Sequence, residues 1–223
     1  MIEHIHLKDC HSTQDILKEQ LSQGNFASHI LVSCDNQVAG RGRGERIWEA
    51  MPGTLCLSLS LAPHPELSFT ALELSVLVAR FFEARGKELR LKWPNDLWTA
   101  AGKKCGGILV QATGDAMLAG IGLNLFSNSE EYGGIYEEAF ELDKKAMARE
   151  LADFILRHRY GSKEGLVADW EGRCFHLNQR VQIKEGTEVF EGKFLGLGTH
   201  GEAIVSDRLQ ESHVYNGSLY LAP

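Results

Sequence analysis

The chain has 223 residues, of which 43% are hydrophobic and 24% charged, a balance typical of a folded globular protein rather than a disordered one. Its formal net charge of −7 argues against a general nucleic-acid-binding protein, because affinity for nucleic acid rests on a basic surface. No apolar run approaches the roughly 18 residues that span a bilayer. The first residues also lack the pattern of a secretory signal, so we expect a cytoplasmic protein.

The cysteines and histidines indicate a reduced protein without a metal site. The five cysteines are odd in number, are widely scattered and form no C-x-x-C pair, which favours free thiols in a cytosol-like compartment. His4, His6, Cys10 and His11 lie close in sequence and could in principle ligate a metal. No second ligand group with zinc spacing follows them, and we therefore predict that no metal is bound there.

The first predicted elements are a helix and a strand. Ser12 precedes Asp15 by three residues, a spacing that predicts a capping box at the start of a short helix ending near Gly24. On this pattern alone, Ser12 has a structural role. Residues 29–33 form a short apolar run, which predicts a strand leading towards Gln37.

Residues 39–48 combine three glycines and three arginines with a tryptophan, Trp48. Glycine lets a ligand or another backbone approach closely, and arginine matches carboxylate and phosphate oxygens. Backbone N–H groups with interleaved guanidinium groups can therefore cradle a phosphate, and Trp48 offers a flat face for stacking. Taken alone, the segment is more typical of a solvated turn, so its role depends on the rest of the chain.

The middle of the chain predicts a buried strand, a helix and a second strand. Residues 54–61 alternate leucine with smaller residues, which places four leucines on one face of a strand. Apolar positions between residues 67 and 85 suit a largely buried helix closed by Gly86. Residues 89–93 predict the next strand, which a proline ends.

Polar residues follow that proline. Asn95 and Asp96 are predicted to lie in a turn at the end of the strand, and a plain Asx turn is the structural alternative to a functional role. Residues 108–111 and 117–124 predict two strands joined by a hairpin-like turn. Lys104 lies two residues before a glycine pair that leads into the first of these strands, a position from which a lysine can point into a cleft.

The C-terminal part changes from helical to strand patterning. Residues 142–160 and 166–175 have helical spacing of apolar positions. Beyond them, five short strands alternate with turns rich in glycine and asparagine, which predicts a small β-barrel beside the first domain. We therefore predict an α/β (α+β) chain of two domains, residues 1–177 and residues 178–223.

Four motifs stand in order along the chain. They are Gly40-Arg41-Gly42-Arg43 with Trp48, Lys92-Trp93-Pro94-Asn95-Asp96, Gly102-Lys103-Lys104 followed by Gly106-Gly107-Ile108-Leu109, and Gly120-Ile121-Gly122-Leu123-Asn124-Leu125. In this order and spacing they resemble the biotin–protein ligases, which biotinylate a carboxylase carrier domain. The resemblance runs from Ser12 through Asn124 and continues weakly over 196–203. It implies a mixed sheet flanked by helices, related to class II aminoacyl-tRNA synthetases and lipoate ligases, with a small C-terminal SH3-like barrel.

The resemblance implies a two-step reaction that uses ATP. The carboxylate of biotin attacks the α-phosphate of ATP and forms biotinyl-5′-AMP and pyrophosphate, and a carrier lysine then takes the biotinyl group and releases AMP. Mg²⁺ would be carried mainly by the phosphates. The implied partner is the biotin carboxyl carrier domain of acetyl-CoA carboxylase or a similar enzyme, and a homodimer is a further implied state.

The resemblance also assigns residues to each part of the site. The biotin-binding residues would be Ser12, Thr13, Gln14, Gln37, Arg41, Gly42, Arg43 and Lys104. The residues that bind ATP and the adenylate would be Gly40, Arg41, Arg43, Arg46, Trp48, Asn95 and Asn124. The catalytic residues would be Lys104 and Arg43, which stabilise charge between two anions, and Asp96 as candidate base for the carrier lysine.

Two positions depart from the family pattern. Gln14 stands where the family usually has asparagine, which implies altered contacts to the head group of biotin. Gly44-Glu45 stands where the family commonly has a bulky or basic residue followed by glycine. Glu45 adds a negative charge near the phosphates, which favours weaker retention of the adenylate.

Three other functions compete with this interpretation. A lipoate or octanoate ligase shares the fold, but those proteins lack the glycine–arginine loop. A non-catalytic biotin or nucleotide sensor would not need Lys104, Arg41 and Arg43 together, and an RNA-binding relative is disfavoured by the acidic charge. Because the motifs begin near residue 12, we expect a monofunctional ligase without the N-terminal DNA-binding domain of some family members, and no repressor role.

Overall fold

The structure, a computed structural model, describes residues 2–23, 29–44, 46–114, 116–139, 141–207 and 210–221. The first nine strands are β1 (Ile2–Cys10), β2 (His29–Gln37), β3 (Gly40–Arg41), β4 (Ile47–Trp48), β5 (Thr54–Leu61), β6 (Leu89–Lys92), β7 (Asp96–Thr99), β8 (Lys104–Thr113) and β9 (Ala116–Asn124). Seven of them form one mixed sheet in the order β1-β2-β5-β9-β8-β7-β6, and β3 and β4 form a separate two-stranded ribbon. Within the described residues, β1 and β2 are the one parallel pair of neighbouring strands in the large sheet, and the other pairs are antiparallel.

Helices cover both faces of the large sheet. In the described part of the chain they are α1 (Thr13–Ser22), a 3₁₀ helix (Leu67–Phe69), α2 (Thr70–Glu83), α3 (Lys144–Arg157) and α4 (Lys163–Arg173). Leu17 of α1 packs on Ile30, Val32 and Leu118, whereas Leu31 belongs to the main core with α2 and α3. Since successive strand residues point to opposite faces, α1 lies on one face and α2 and α3 on the other. None of these helices is long and apolar enough to cross a membrane.

The strand predicted from alternating leucines is confirmed as β5, between β2 and β9. All eight of its residues are buried, because helices and the cavity wall cover both faces of the sheet there. The side facing the main core carries Leu55, Leu57, Leu59 and Leu61. The other side carries Thr54, Cys56, Ser58 and Ser60. This second row of small, mostly polar side chains becomes part of the floor of the site.

Two predicted local features are wrong in detail. Asp96 does not lie in a turn: it is the first residue of β7 and pairs with Lys92 across the β6–β7 hairpin. The chain reverses just before it, through a cis peptide bond between Trp93 and Pro94. Ser12 occupies the N-cap position of α1, but its side chain makes no capping hydrogen bond. The helix therefore begins where the capping box predicted, and the buried Ser12 side chain faces a cavity instead.

From Arg180 onward the chain forms a second sheet, which is antiparallel throughout. Its strands are β10 (Arg180–Glu185), β11 (Glu188–Leu197), β12 (Ala203–Ser206), β13 (Glu211–Val214) and β14 (Ser218–Leu221). Their order is β13-β12-β11-β10-β14, so within the described residues the edge strands β13 and β14 do not pair and the sheet stays open. The five predicted strands are confirmed, but the predicted closed barrel is not. Turn residues and alternation indicate strands without specifying which edges meet.

The second sheet is fixed to the rest of the protein by contacts from its connections and from β11. Trp93 donates its indole N–H to the carbonyl of Gly201 at 3.1 Å, in a buried contact. The carboxylate of Glu171, on α4, accepts the backbone N–H of Leu197 at 3.0 Å. These contacts orient the second sheet relative to the first. The domain boundary after residue 177 stays a prediction.

Candidate active site

A cavity of about 710 Å³ lies between α1, residues 41–43 and 46–48, and strands of the large sheet. Every site residue predicted from the sequence except Gly40 lines it. These lining residues are Ser12, Thr13, Gln14, Gln37, Arg41, Gly42, Arg43, Arg46, Trp48, Asn95, Asp96, Lys104 and Asn124. Gly40 pairs with Trp48 in the β3–β4 ribbon. A β-carbon at Gly40 would fall 2.4 Å from the Trp48 carbonyl oxygen. The fold thus gathers residues from distant parts of the chain into one site.

The register between β5 and β9 orders the cavity floor from one end to the other. Along it, Ser58 lies opposite Gly120, Cys56 opposite Gly122, and Thr54 opposite Asn124. A strand rises by about 3.4 Å per residue, so the first and last of these pairs lie roughly 14 Å apart. The floor therefore suits an elongated ligand whose two ends are chemically different.

The Ser58 end of the cavity is polar and largely buried. The side-chain oxygen of Gln37 accepts the backbone N–H of Thr13 at 2.9 Å and its hydroxyl at 3.2 Å. The same Thr13 hydroxyl lies 2.9 Å from the hydroxyl of Ser58. These hydrogen bonds hold the start of α1 against β2 and β5. The polar groups at this end are therefore held in fixed positions, where the head group of a ligand can contact them.

The side chain of Gln14 lies at the same end of the cavity, against a glycine of β9. Its Nε2 donates to Oε1 of Gln111 at 3.3 Å, and the residue is only 6% exposed. A β-carbon at Gly120 would fall 2.5 Å from Oε1 of Gln14. The first glycine of the Gly120-Ile121-Gly122 motif therefore accommodates the glutamine that departs from the usual family pattern.

An ion pair lies in the middle of the cavity. The Nζ atom of Lys104 is 2.7 Å from Oδ1 of Asp96, and both side chains line the cavity. Nζ also lies 5.9 Å from the centroid of the Trp48 ring. An ammonium group held in this way is already in position to neutralise an anionic ligand.

The indole of Trp48 lies against β9. A β-carbon at Gly122 would fall 2.6 Å from Cε2 and 2.8 Å from Nε1 of this indole, so glycine is required there. Nε1 is buried beside the thiol of Cys56 and has no nitrogen or oxygen partner within the described ranges. Beneath it, burial raises the pKa of Cys56 to about 12, so this thiol stays neutral. The second glycine of the motif therefore accommodates the tryptophan.

The two predicted asparagines are partly engaged by the protein itself. Asn95 donates to the carbonyl of Ile108 at 2.6 Å, and its Oδ1 accepts from Arg43 at 3.4 Å. The Oδ1 atom of Asn124 accepts the hydroxyl of Thr54 at 3.0 Å. Both side chains are thereby held in defined orientations at the cavity wall.

The three arginines of the loop have different neighbours. Arg41 pairs with Asp15 of α1 at 2.9 Å on the surface. Arg43 and Arg46 instead reach the turn between β13 and β14, a contact that no sequence pattern predicted. Burial lowers the pKa of Arg43, and the charge of Arg46 lowers it further. The predicted effect of Glu45 lies outside the described residues.

Sequence reasoning missed several residues at the site. They include Cys56, Ser58, Trp98, Tyr132 and Tyr220, which line the cavity, and Gln111, which bonds Gln14. For Ser58 a signal was available, because the row of small residues opposite the leucines of β5 must face something. For Tyr220 there was none, since it comes from the second sheet.

The histidines near the N-terminus form a hydrogen-bonded cluster with a serine. His4 Nε2 and His6 Nδ1 each lie 2.8 Å from the hydroxyl of Ser33. His6 Nε2 also lies 3.3 Å from a carboxylate oxygen of Asp35. Among the residues that the structure describes, no group of three or more His, Cys, Asp or Glu side chains is placed to hold a metal ion.

Comparison with known proteins identifies the family. Residues 8–128 match the model of the biotin/lipoate A/B protein ligase family. The bifunctional ligase/repressor BirA of Bacillus spizizenii is 27% identical over 99% of this chain and 75% of its own length. The biotin–[acetyl-CoA-carboxylase] ligase of Mycobacterium tuberculosis is 29% identical over 78% of this chain and 71% of its own length.

A solved structure agrees with the sequence comparison. The biotin protein ligase of Aquifex aeolicus in complex with biotin and ATP has a TM-score of 0.81 to this chain, with 25% identity and 99% of each chain covered. The family model matches more than half of the 223 residues, over a segment that supplies most of the residues lining the cavity. The chain therefore belongs to the biotin/lipoate A/B protein ligase family.

Proposed function

We propose that this protein attaches biotin to a lysine of a biotin carboxyl carrier domain, using ATP and forming biotinyl-5′-AMP as the intermediate. The observation that carries the proposal is one elongated cavity with a polar end at Thr13 and Gln37, an ammonium group from Lys104 near Trp48, and a far end at Asn124. The family membership and the biotin and ATP complex of the Aquifex relative support it. The name of the Mycobacterium relative supports acetyl-CoA carboxylase as the source of the carrier domain.

In the first step, a carboxylate oxygen of biotin forms a bond to the α-phosphorus of ATP, and the bond from that phosphorus to pyrophosphate breaks. Both reactants are anionic, so a cation between them reduces their repulsion and stabilises the charge that grows on the phosphate oxygens. Lys104 has this role in the proposal, and Asp96 holds its ammonium group in place at 2.7 Å. Arg43 supplies a second positive charge from the loop.

Mg²⁺ enters this scheme with ATP, as part of the substrate. Asp96 and Asn95 offer a carboxylate and an amide oxygen at the cavity wall, but Asp96 is shared with Lys104 and Asn95 with Arg43. Mg²⁺ commonly keeps several waters and takes most other ligands from substrate phosphates. The available donor set fits an ion carried mainly by the phosphates.

In the second step, the ε-nitrogen of the carrier lysine forms a bond to the acyl carbon of biotinyl-AMP, and the bond from that carbon to AMP breaks. A free lysine has a pKa of about 10.4, so its ammonium group must lose a proton before attack. Asp96 is the proposed acceptor of this proton. Its contact with Lys104 must loosen as it accepts, which links the two catalytic roles.

A lipoate or octanoate ligase is the second candidate, because the description of the family includes lipoate ligases. The polar end of the cavity favours biotin. An apolar head group would remove water from Thr13, Gln14 and Gln37 without offering hydrogen bonds in return, and leaving such groups unsatisfied costs about 1–3 kcal/mol each. The ureido group of biotin carries both donors and an acceptor.

The test is a single-turnover reaction with α-labelled ATP, Mg²⁺ and biotin, first without and then with a carrier domain. We expect a labelled adenylate that depends on biotin and that the carrier discharges to AMP. Parallel reactions with lipoate and octanoate measure the acyl specificity, and a labelled adenylate from these acids alone would favour the second candidate. Binding of biotin without any adenylate would leave a sensor and contradict catalysis.

A further inference from the structure

The turn between β13 and β14 presents three oxygen atoms to residues 40–44 and 46–48, which we call the arginine loop. Arg43 donates to Oδ1 of Asn216 at 2.5 Å and to the carbonyl of Gly217 at 2.9 Å. Arg46 donates to the hydroxyl of Ser218. We call residues 216–218 the C-terminal turn. Two guanidinium groups that line the candidate active site are thus held by an element of the other sheet.

The local geometry of the C-terminal turn suits this contact. Gly217 has a φ of 132°, a conformation that side chains other than hydrogen disfavour, and a β-carbon there would fall 2.7 Å from the carbonyl oxygen of Lys184. Oδ1 of Asn216 also accepts the backbone N–H of Gly217 at 2.9 Å, which fixes the direction of the carboxamide. The turn therefore keeps its oxygen atoms directed at the loop.

The position of the C-terminal turn does not depend on the loop that it binds. The second sheet is anchored elsewhere, through the Trp93 indole on Gly201 and the Glu171 carboxylate on the N–H of Leu197. Neither contact involves an arginine of the loop. The sheet consequently acts as a fixed support.

The arginine loop has little structure of its own to hold it. Its only regular element in the described part is the ribbon of β3 and β4, with two residues in each strand. A two-stranded ribbon is marginally stable at best in water. The ion pair of Arg41 with Asp15 lies on the surface, where such pairs contribute about 0–1 kcal/mol. Apart from the packing of Trp48 on Gly122 and a backbone hydrogen bond of 2.8 Å from Gly42 to Arg46, the loop is therefore held by the C-terminal turn.

Arg43 connects the C-terminal turn to the reaction site. Besides Asn216 and Gly217, its guanidinium group donates to Oδ1 of Asn95 on the cavity wall, at 3.4 Å. The C-terminal turn offers neutral oxygens, whereas a phosphate offers charged ones that bind arginine more strongly. A phosphate in the cavity can therefore recruit Arg43 without first having to order the loop.

We propose that the C-terminal turn is a positioning element of the adenylate site: it holds Arg43 and Arg46 over the cavity and so slows the release of biotinyl-AMP. The identity of the ligand rests on the proposed function, whereas the ordering of the loop does not. Asn216 is a positioning residue in this scheme, because it acts through Arg43.

The experiment compares the full chain with Asn216→Ala and with Gln210→Ala, which removes an exposed carboxamide just before β13. One readout needs no activity: the rate at which trypsin cleaves after Arg43 and Arg46 without ligands, followed by mass spectrometry. The other is the rate at which bound biotinyl-AMP dissociates. Loss of a hydrogen bond to a charged group predicts an increase of about ten- to a hundredfold in both rates for Asn216→Ala. Gln210→Ala should match the wild type in both rates. In Asn216→Ala the KM for biotin should stay within about twofold of the wild-type value.

A conservative variant separates positioning from general damage. Asn216→Asp keeps an oxygen at the same place, so it should restore slow cleavage. Cleavage of Asn216→Ala at the wild-type rate, or of Asn216→Asp at the rate of Asn216→Ala, would overturn the proposal. Faster cleavage with unchanged dissociation of the adenylate would break the link to the ligand. If the wild type forms no adenylate, the proposed function fails, and the trypsin rates still decide the ordering role.

Discussion

Lys104 and Asp96 hold each other across the first residues of β8 and β7, with 2.7 Å between Nζ and Oδ1. The proposed catalytic cation and the proposed base are therefore in direct contact before any ligand arrives. A cation that is already in position needs little reorganisation when charge develops on a phosphate. Because of this contact, a substitution of either residue also changes the electrostatic environment of the other.

Replacing Lys104 by alanine tests the first step. We expect the single-turnover rate of adenylate formation to fall by about 10²- to 10³-fold, the range seen when one preorganised electrostatic group is removed. The Kd of biotin, measured by calorimetry, should change by less than about threefold, because the head group binds at the other end of the cavity. Lys145→Ala, on the exposed side of α3, is the control. A large loss of biotin binding with a normal adenylation rate would remove Lys104 from the catalytic residues.

Replacing Gly120 by alanine tests the biotin end. The new methyl group would lie 2.5 Å from Oε1 of Gln14, a side chain that is buried and bonded to Gln111. We expect the amide to be displaced and the KM of biotin to rise roughly tenfold, as for one lost hydrogen bond in a buried site. The KM of ATP should stay within about twofold, since its site lies further along the floor. Steady-state kinetics with each substrate varied in turn measure both constants.

Replacing Gly122 by alanine should raise the KM of ATP rather than the KM of biotin. The methyl group would lie 2.6 Å from Cε2 of Trp48, and a rigid indole cannot yield as the end of a flexible chain can. Loss of stacking on this ring predicts a rise of about tenfold in the KM of ATP. Gly172→Ala, in α4, is a matched control, because a β-carbon there would meet no atom within 4 Å apart from its chain neighbours and the backbone of its own helix. A rise in the KM of biotin alone would contradict the assignment of Trp48 to the nucleotide.

The buried His176 predicts acid sensitivity. Burial lowers the pKa of His176 to about 3, and the charge of Lys92 lowers it further. Burial likewise lowers the pKa of the partly buried His4 to about 4, with His6 adding to the effect. The unfolded chain, with histidine pKa values near 6.5, then binds more protons than the folded chain at any pH between these values. The free energy of unfolding should therefore fall as the pH drops below about 6.5.

The measurement is urea unfolding at several pH values between 6.5 and 5, where carboxyl groups remain ionised. Each histidine can contribute a slope of at most about 1.4 kcal/mol per pH unit, and the fully buried His176 should contribute the larger share. His176→Phe should flatten the curve, since the side chain lies among Trp170, Phe175 and Phe194. His11→Gln, at an exposed position, is the control. Parallel curves for wild type and His176→Phe would rule out this source of acid sensitivity.

Local sequence patterns predicted the elements in which apolar residues recur at a regular spacing along the chain. The leucines of β5 alternate because one face of the strand meets the core. The spacing between residues 67 and 85 predicted one helix, and the structure has α2 there, preceded by a short 3₁₀ helix. These patterns were insufficient where pairing with another segment of the chain determines the local structure. Asp96 was expected in a turn because a proline precedes it, but pairing with Lys92 and Gly107 places it in β7.

Four motifs of glycine, arginine, lysine and asparagine keep their order and spacing, and from them the sequence predicted the family and thirteen of the residues that line the cavity. How these residues come together depends on contacts in the folded chain. The register of β5 and β9 places Gly120 under Gln14 and Gly122 under Trp48, and the docking of the second sheet places Asn216 against Arg43. A motif records which side chains are needed, whereas strand register and sheet packing are set by contacts between residues far apart in the chain.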